Sequence, residues 1–139
     1  QQAMNNAKVL YQLSVSREDV ETAEQLYHME SELKKVLADP TVSLKKKEQI
    51  IEQVFSLTEL SESLRNFLKV ICAHRQIDEV DDSFEAYYEY WDEMHNILRA
   101  ELSYAEKPEQ TELEQAEKFL MNKYPGKQFV QYSVCKKRK

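Results

Sequence analysis

Ser61-Glu62-Ser63-Leu64-Arg65-Asn66-Phe67-Leu68-Lys69-Val70-Ile71-Cys72-Ala73-His74 reads as one amphipathic helix starting near Ser61. Leu64, Phe67, Leu68, Ile71 and Cys72 recur at steps of three and four, with Val70 on the flank. That is the period of a helix that buries one side. The same period extends in both directions. Upstream, Ser43 caps a helix whose inner residues are Ile50, Ile51, Val54 and Phe55, and a short turn around Leu57 to Leu60 joins the two. Downstream, a helix from about Ile77 carries Val80, Phe84, Tyr87, Trp91 and Leu98.

Further upstream, Ala3 to Ser14 forms a first helix with Val9, Leu10 and Leu13 on its apolar face, widened by Tyr11. Ser16 caps a second, predicted from Arg17 to Leu37, with Asp19 three residues on and Glu18 in its first turn. Val20, Ala23 and Tyr27 form one row, and Leu26, Leu33 and Leu37 another, with Met29 beside them. Asp39-Pro40 ends it, because the residue before proline is pushed out of the α region. Several amphipathic helices with short connections make a bundle.

From Ile97 to Ala105 the period changes. Leu98, Ala100, Leu102 and Tyr104 alternate with polar residues, which predicts a strand, and the preceding helix competes for Ile97 and Leu98. After Pro108, Thr111 and Glu114 read as a capping box for a helix through Tyr124, with Leu113, Ala116, Leu120 and Met121 as its apolar row. Pro125 and Gly126 stop it. Gln128 to Val134 alternates again, with Val130, Tyr132 and Val134 on one face. The fold class is therefore mostly α: an N-terminal bundle of five to six helices (residues 1–96), then a small, incomplete-looking β-α-β piece (residues 97–139). Two strands and a helix are marginal alone.

The chain has 139 residues, of which 42% are hydrophobic and 32% charged, enough for a core and too apolar for general disorder. Its single glycine, Gly126, leaves few of the positive-φ turns that phosphate-cradling loops and strained catalytic turns use. The expectation is a protein that works by surface contact. A net charge of -6 argues against nucleic acid as a main partner. No apolar run approaches ~20 residues, so no membrane insertion is expected. No charged n-region with an apolar h-region stands near Gln1, so export is not expected. Cys72 reads as a small core residue, and Cys135 sits beside a basic tail.

Candidate chemistry is sparse. Glu85, Glu89 and Glu93 make a carboxylate stripe with His95 nearby, but the Glu-x-x-His pairs of a di-iron bundle are missing, so no metal and no cofactor are expected. A metal-dependent bundle enzyme is the weakest reading. His28, between Glu24 and Glu32, reads as a surface ion pair, and His74 as a favourable charge at a helix end. Lys136 to Lys139 read as a solvated tail. Lys45, Lys46 and Lys47 open a helix, where the dipole opposes their charge. A solvated face is the plain reading, and an acidic partner would compensate. Tyr87, Tyr88, Tyr90 and Trp91 cannot all point inward from one helix. Core packing with ordinary exposure explains most such clusters.

Three stretches, in order, resemble the delta subunit of F-type ATP synthases, the oligomycin-sensitivity-conferring protein of mitochondria. Ala7-Lys8-Val9-Leu10-Tyr11-Gln12-Leu13 is similar to the family's first helix. Asp39-Pro40-Thr41-Val42-Ser43, with Lys47, Ile50, Ile51 and Phe55, is similar to its Pro-x-Val-Ser segment. Asn66-Phe67-Leu68-Lys69-Val70-Ile71, with His74-Arg75, is similar to its Asn-Phe-Leu helix. The likeness spans nearly the whole chain. Two departures stand out: Asn6 occupies a common tyrosine position, and Ser133-Val134 leads into Cys135 and the lysines where the family continues with a Gly-Gly strand and an Asp-Gly-Ser segment.

The resemblance implies a non-catalytic stator subunit that holds the catalytic head to the peripheral stalk during proton-driven ATP synthesis. It implies a groove between the first helix and the Asn-Phe-Leu helix that receives the N-terminal helix of the alpha subunit. Carried over, Asn6, Val9, Leu10 and Leu13 line one side, and Asn66, Phe67, Val70 and His74 the other. The b subunits of the stalk are the partners implied for the C-terminal part. The expected location is peripheral, on the cytoplasmic face of a bacterial-type membrane, ahead of the mitochondrial matrix or chloroplast stroma. The alternative is an unrelated cytoplasmic helical adaptor for an amphipathic helix.

Overall fold

The computed structural model describes residues 1–30, 32–56, 60–104 and 106–136, with backbone only for 100–104 and 129–136. Along the chain run α1 (Gln2–Gln12), α2 (Arg17–Met29), α3 (Leu33–Ala38), α4 (Leu44–Phe55), α5 (Glu62–Ala73), a 3₁₀ turn (Ile77–Glu79), α6 (Val80–Met94), β1 (Ile97–Tyr104), α7 (Gln110–Lys123) and β2 (Gln128–Lys136). The protein is mostly α, a helical bundle followed by a β-α-β piece, as its periodicities require. It divides into two compact units, Gln1–Trp91 and Asp92–Lys139.

In the first unit, serine hydroxyls start α2, α4 and α5. Ser16, Ser43 and Ser61 accept from the backbone N–H groups of Asp19, Lys46 and Leu64 at 3.1, 3.2 and 3.3 Å. Each satisfies one N–H that the first helical turn leaves unpaired. α4 packs on α5, and α2 on both α3 and α4. All these elements feed one core, which includes Leu10, Val20, Ile51, Leu64, Phe84 and Tyr87.

The long helix expected from Arg17 to Leu37 is two helices. α2 ends at Met29, and Glu30 is extended at φ -105°, ψ 103°. Neither glycine nor proline marks the break; phase does. At 3.6 residues per turn, Leu33 and Leu37 would lie roughly 90° round a continuous helix from the Val20–Ala23–Tyr27 row. The interruption lets both rows be buried, and it leaves Met29 exposed. The turn expected around Leu57 to Leu60 falls mostly outside the described residues; Leu60 is buried.

Positive φ is not confined to Gly126. Ser14, Arg75 and Asn96 adopt φ of 57°, 56° and 54°, each just beyond a helix end. After α5 the Gln76 N–H donates to Ile71 O at 2.9 Å and the Arg75 N–H to Cys72 O at 3.0 Å. This is the Schellman pattern, with arginine where glycine usually stands. Glycine scarcity thus limits left-handed turns less than composition suggests.

In the second unit, α6 stops at Met94 and left-handed Asn96 turns the chain, which assigns Ile97 and Leu98 to β1. β1 and β2 pair in parallel, from Ile97 with Gln128 to Tyr104 with Lys136, with a register shift after Leu98 that leaves Val130 as the extra residue. α7 is the crossover a parallel pair needs. Its N-cap is Glu109, not Thr111: Pro108 precedes an extended Glu109 (ψ 162°), and helix begins at once. The Glu109 N–H donates to Glu112 Oε1 at 3.3 Å, so the box lies two residues before the expected one. Of the basic tail, residues 137–139 lie outside the described residues.

Candidate functional site

α1 and α5 give their inner sides to the same core, Ala7 and Leu10 from one and Leu64, Phe67, Leu68, Ile71 and Cys72 from the other. What remains outside is apolar on both. Val9 and Leu13, four residues apart and so stacked along the helix, are 45% and 43% exposed, and Val70 is 54% exposed. Ser63, Asn66, Val70 and His74 follow one another up a single side of α5 at steps of three and four. His74 forms the C-cap.

The eight residues expected to line a groove fall into two sets. Val9, Leu13, Asn66, Val70 and His74 face solvent. Leu10 at 0% exposure, together with Asn6 and Phe67, is buried, so these three support the outer residues from beneath. The apolar stripe of α1 is wide enough that Val9, Leu10 and Leu13 all belong to it, and only packing decides which edge stays open.

Asn6 has a structural task that sequence reading missed. Its Nδ2 donates to Ser83 Oγ at 3.1 Å, and its Oδ1 accepts from Gln2 Nε2 at 3.0 Å. The Ser83 hydroxyl donates in turn to Glu79 O at 2.6 Å. Asn6 and Ser83 are both buried, and buried polar groups need such partners. The chain of bonds ties α1 to α6.

The aromatic cluster of α6 is likewise turned to its neighbours. Tyr87 is wholly buried, and its hydroxyl donates to Val15 O at 3.2 Å; burial raises its pKa. The Tyr88 hydroxyl donates to Glu24 Oε1 at 3.1 Å, and burial, then Glu24, pushes its pKa up. The Arg17 guanidinium lies 5.0 Å from the Tyr88 ring centre and 4.7 Å from that of Trp91. Tyr90 meets Tyr11 edge-on, with centroids 5.3 Å apart. These contacts fasten α1 and α2 to α6.

His28 is in an ion-pair geometry, though not with its sequence neighbours. Its Nε2 lies 2.8 Å from Asp81 Oδ1. Glu24 is engaged by Tyr88, and Glu32 lies beyond the break after α2. Lys34 Nζ is 3.7 Å from the other Asp81 oxygen, so Asp81 has a partner on each side of that break. Glu52 bridges α4 to α5 by holding Lys69 and Arg65.

Little here can do chemistry. Burial raises the Cys72 thiol to about 11, which keeps it protonated and poorly nucleophilic. Among the described residues no three His, Cys, Asp or Glu side chains gather as a metal site would require. Glu85, Glu89, Glu93 and His95 are exposed. No described helix is long and apolar enough to cross a membrane.

Comparison with known proteins agrees with this picture. The model of the ATP synthase delta (OSCP) subunit family matches residues 3–137. The ATP synthase subunit delta of Clostridioides difficile (strain 630) is 33% identical over 90 residues, which make up 65% of this chain and 49% of that protein. The chain thus spans about half the length of the curated relative it matches. Among solved structures, a chain of the cryo-EM structure of the Toxoplasma gondii mitochondrial ATP synthase hexamer superposes with a TM-score of 0.63 at 14% identity. The match covers 99% of this chain and 79% of that one, and at such identity it speaks for the fold. With a family model spanning nearly every residue and the helical bundle it leads one to expect, the protein belongs to the ATP synthase delta (OSCP) subunit family.

Proposed function

We infer that this chain acts as a non-catalytic stator subunit of an F-type ATP synthase, holding the catalytic head to the peripheral stalk. The observation that carries the reading is the exposed apolar pair Val9 and Leu13 on α1 together with Val70 on α5, on helices whose other sides share one core. An amphipathic helix, that of the alpha subunit's N terminus, would lay its apolar face against these residues, while Asn66 and His74 set its register. The C-terminal unit would serve the b subunits.

Such a holder needs slow dissociation. Nanomolar affinity, worth about 12 kcal/mol, with an on-rate of ~10⁶ M⁻¹s⁻¹ gives a lifetime on the order of a thousand seconds. That outlasts many turnovers at ~10 s⁻¹, and further contacts in one assembly lengthen it through effective concentration.

Titration of the full chain with a peptide of the alpha subunit's N-terminal helix tests this. Submicromolar binding that Val70→Asp weakens by at least about a hundredfold is expected, since a charge would be buried in an apolar contact. Binding that Val70→Asp and Leu13→Asp both leave unchanged would place the contact elsewhere. Failure of the peptide to bind at all would favour an adaptor for some other helix.

A further inference from the structure

In the unit Gln1–Trp91 most cations are engaged. Arg17 holds Glu21, Lys34 reaches Asp81, Lys35 reaches Glu32, Arg65 and Lys69 share Glu52, and Lys8 lies over the Tyr90 ring. Lys45, Lys46, Lys47 and Arg75 differ. Among the described residues none of the four has an ion-pair or ring partner. Lys47 acts on the Asp39 carboxylate only from beyond ion-pair distance.

Two of them, Lys47 and Arg75, meet where the start of α4 passes the end of α5. Lys47 and Arg75 line one cavity of about 350 Å³, and Pro40, Val42, Leu44 and Ala73 supply its apolar wall. Lys45 and Lys46 follow Leu44 in the first turn of α4, which carries no acidic residue. The lysines and the positive end of the helix therefore repel one another. In a chain of net charge -6, Lys47 and Arg75 thus stand together at a partly apolar hollow beside a lysine-rich helix start, and a carboxylate from outside would relieve the repulsion.

We propose that this hollow docks an acidic, amphipathic peptide segment of a partner protein, with one carboxylate between Lys47 and Arg75 and an apolar side chain against Pro40, Val42 and Leu44. A bilayer or a nucleic acid fits less well. Either brings continuous negative charge toward Asp39, Glu48 and the acidic remainder of the molecule, whereas a peptide places single side chains in a concavity. The surface uses none of the residues assigned to the alpha-subunit helix (Val9, Leu13, Asn66, Val70 and His74), so it stands or falls independently of the stator reading.

The test is fluorescence anisotropy on the full chain with a short fluorescein-labelled peptide of alternating Glu and Leu. The same peptide with Ser for Glu, and phosphatidylcholine vesicles containing phosphatidylserine, complete the set. The Glu-Leu peptide should bind, lose affinity with added salt, and shift the backbone amide NMR signals of residues 43–47 and 73–75. Lys47→Glu with Arg75→Glu should weaken it by about tenfold or more, the scale of two partly exposed ion pairs lost and reversed. Lys35→Glu, on a lysine already paired elsewhere, should leave it unchanged. Lys47→Met keeps the aliphatic stem and repeats the test without reversing charge. No binding, equal affinity for the Ser-Leu peptide, indifference to the Lys47 and Arg75 variants, or preference for the vesicles would each overturn the proposal.

Discussion

The two units spend their apolar residues differently. From Ala7 to Tyr87 helices meet helices, and the buried hydrophobic side chains of the described residues all lie in that span. α7 buries none of its own side chains; Leu113, Ala116, Leu120 and Met121 are half-buried, and Phe119 is exposed. A bundle surrounds each apolar stripe with others, whereas one helix over two strands covers one face at most. Stability should therefore be concentrated in the first unit, and several substitutions measure how steep that contrast is.

The largest effect is expected at Phe84. Phe84→Ala should destabilise the first unit by about 3–5 kcal/mol, the cost of an aromatic lost from a packed interior. Phe119→Ala on α7 should stay within about 0.5 kcal/mol. Denaturant melts followed by Trp91 fluorescence for the first unit and by far-ultraviolet circular dichroism for the whole chain would show both, and equal losses would abolish the distinction between the units. Hydrogen exchange should agree, with amides of α5 and α6 protected well beyond those of α7.

Next comes the polar tie between α1 and α6. Ser83→Ala should cost about 1–3 kcal/mol, because it leaves the buried Asn6 amide without its acceptor. Asn6→Leu combined with Ser83→Ala should recover part of that in a double-mutant cycle. Strict additivity would mean the two side chains do not interact.

Smaller again, Arg75→Gly should stabilise the first unit by about 0.5–1 kcal/mol, because glycine adopts left-handed φ without a Cβ clash. A loss would show that the Arg75 side chain matters to folding. Last is the acid response. The hydrogen bond from Lys69, then the charge of Arg65, holds the Glu52 carboxyl below its ordinary value of 4.5. A depressed carboxylate contributes stability above its unfolded pKa and loses it as pH falls through the folded one. Glu52→Gln should therefore flatten the decline of stability below about pH 4.5, a small change because the pair is exposed.

What was legible in the sequence was local. Ser16 and Ser43 announce helix starts because a side chain and an N–H three residues apart settle the matter between themselves. The break after Met29 was hidden because no residue there is a breaker; two apolar rows out of phase were the only sign. Glu109 is harder to read as a cap than Thr111, because a glutamate carboxylate caps less conspicuously than a hydroxyl. The partner of His28 is not legible locally, because Asp81 reaches it only through the fold. Of the outer face on α1 and α5, the helices and their stripes were readable. Which of Val9, Leu10 and Leu13 stays outside was not, since a broad stripe leaves the helix's rotation open until Ser83 and its neighbours fix it.

That fixing has a mechanical side. A cylinder seated only by oily contacts can roll about its own axis under a twisting load, because grease resists shear poorly. The amide of Asn6 clasped by the Ser83 hydroxyl acts as a key in a shaft, stopping α1 from slipping in azimuth. Any subunit gripping Val9 and Leu13 would then pass its torque into α6 instead of dissipating it as rotation of the helix it holds.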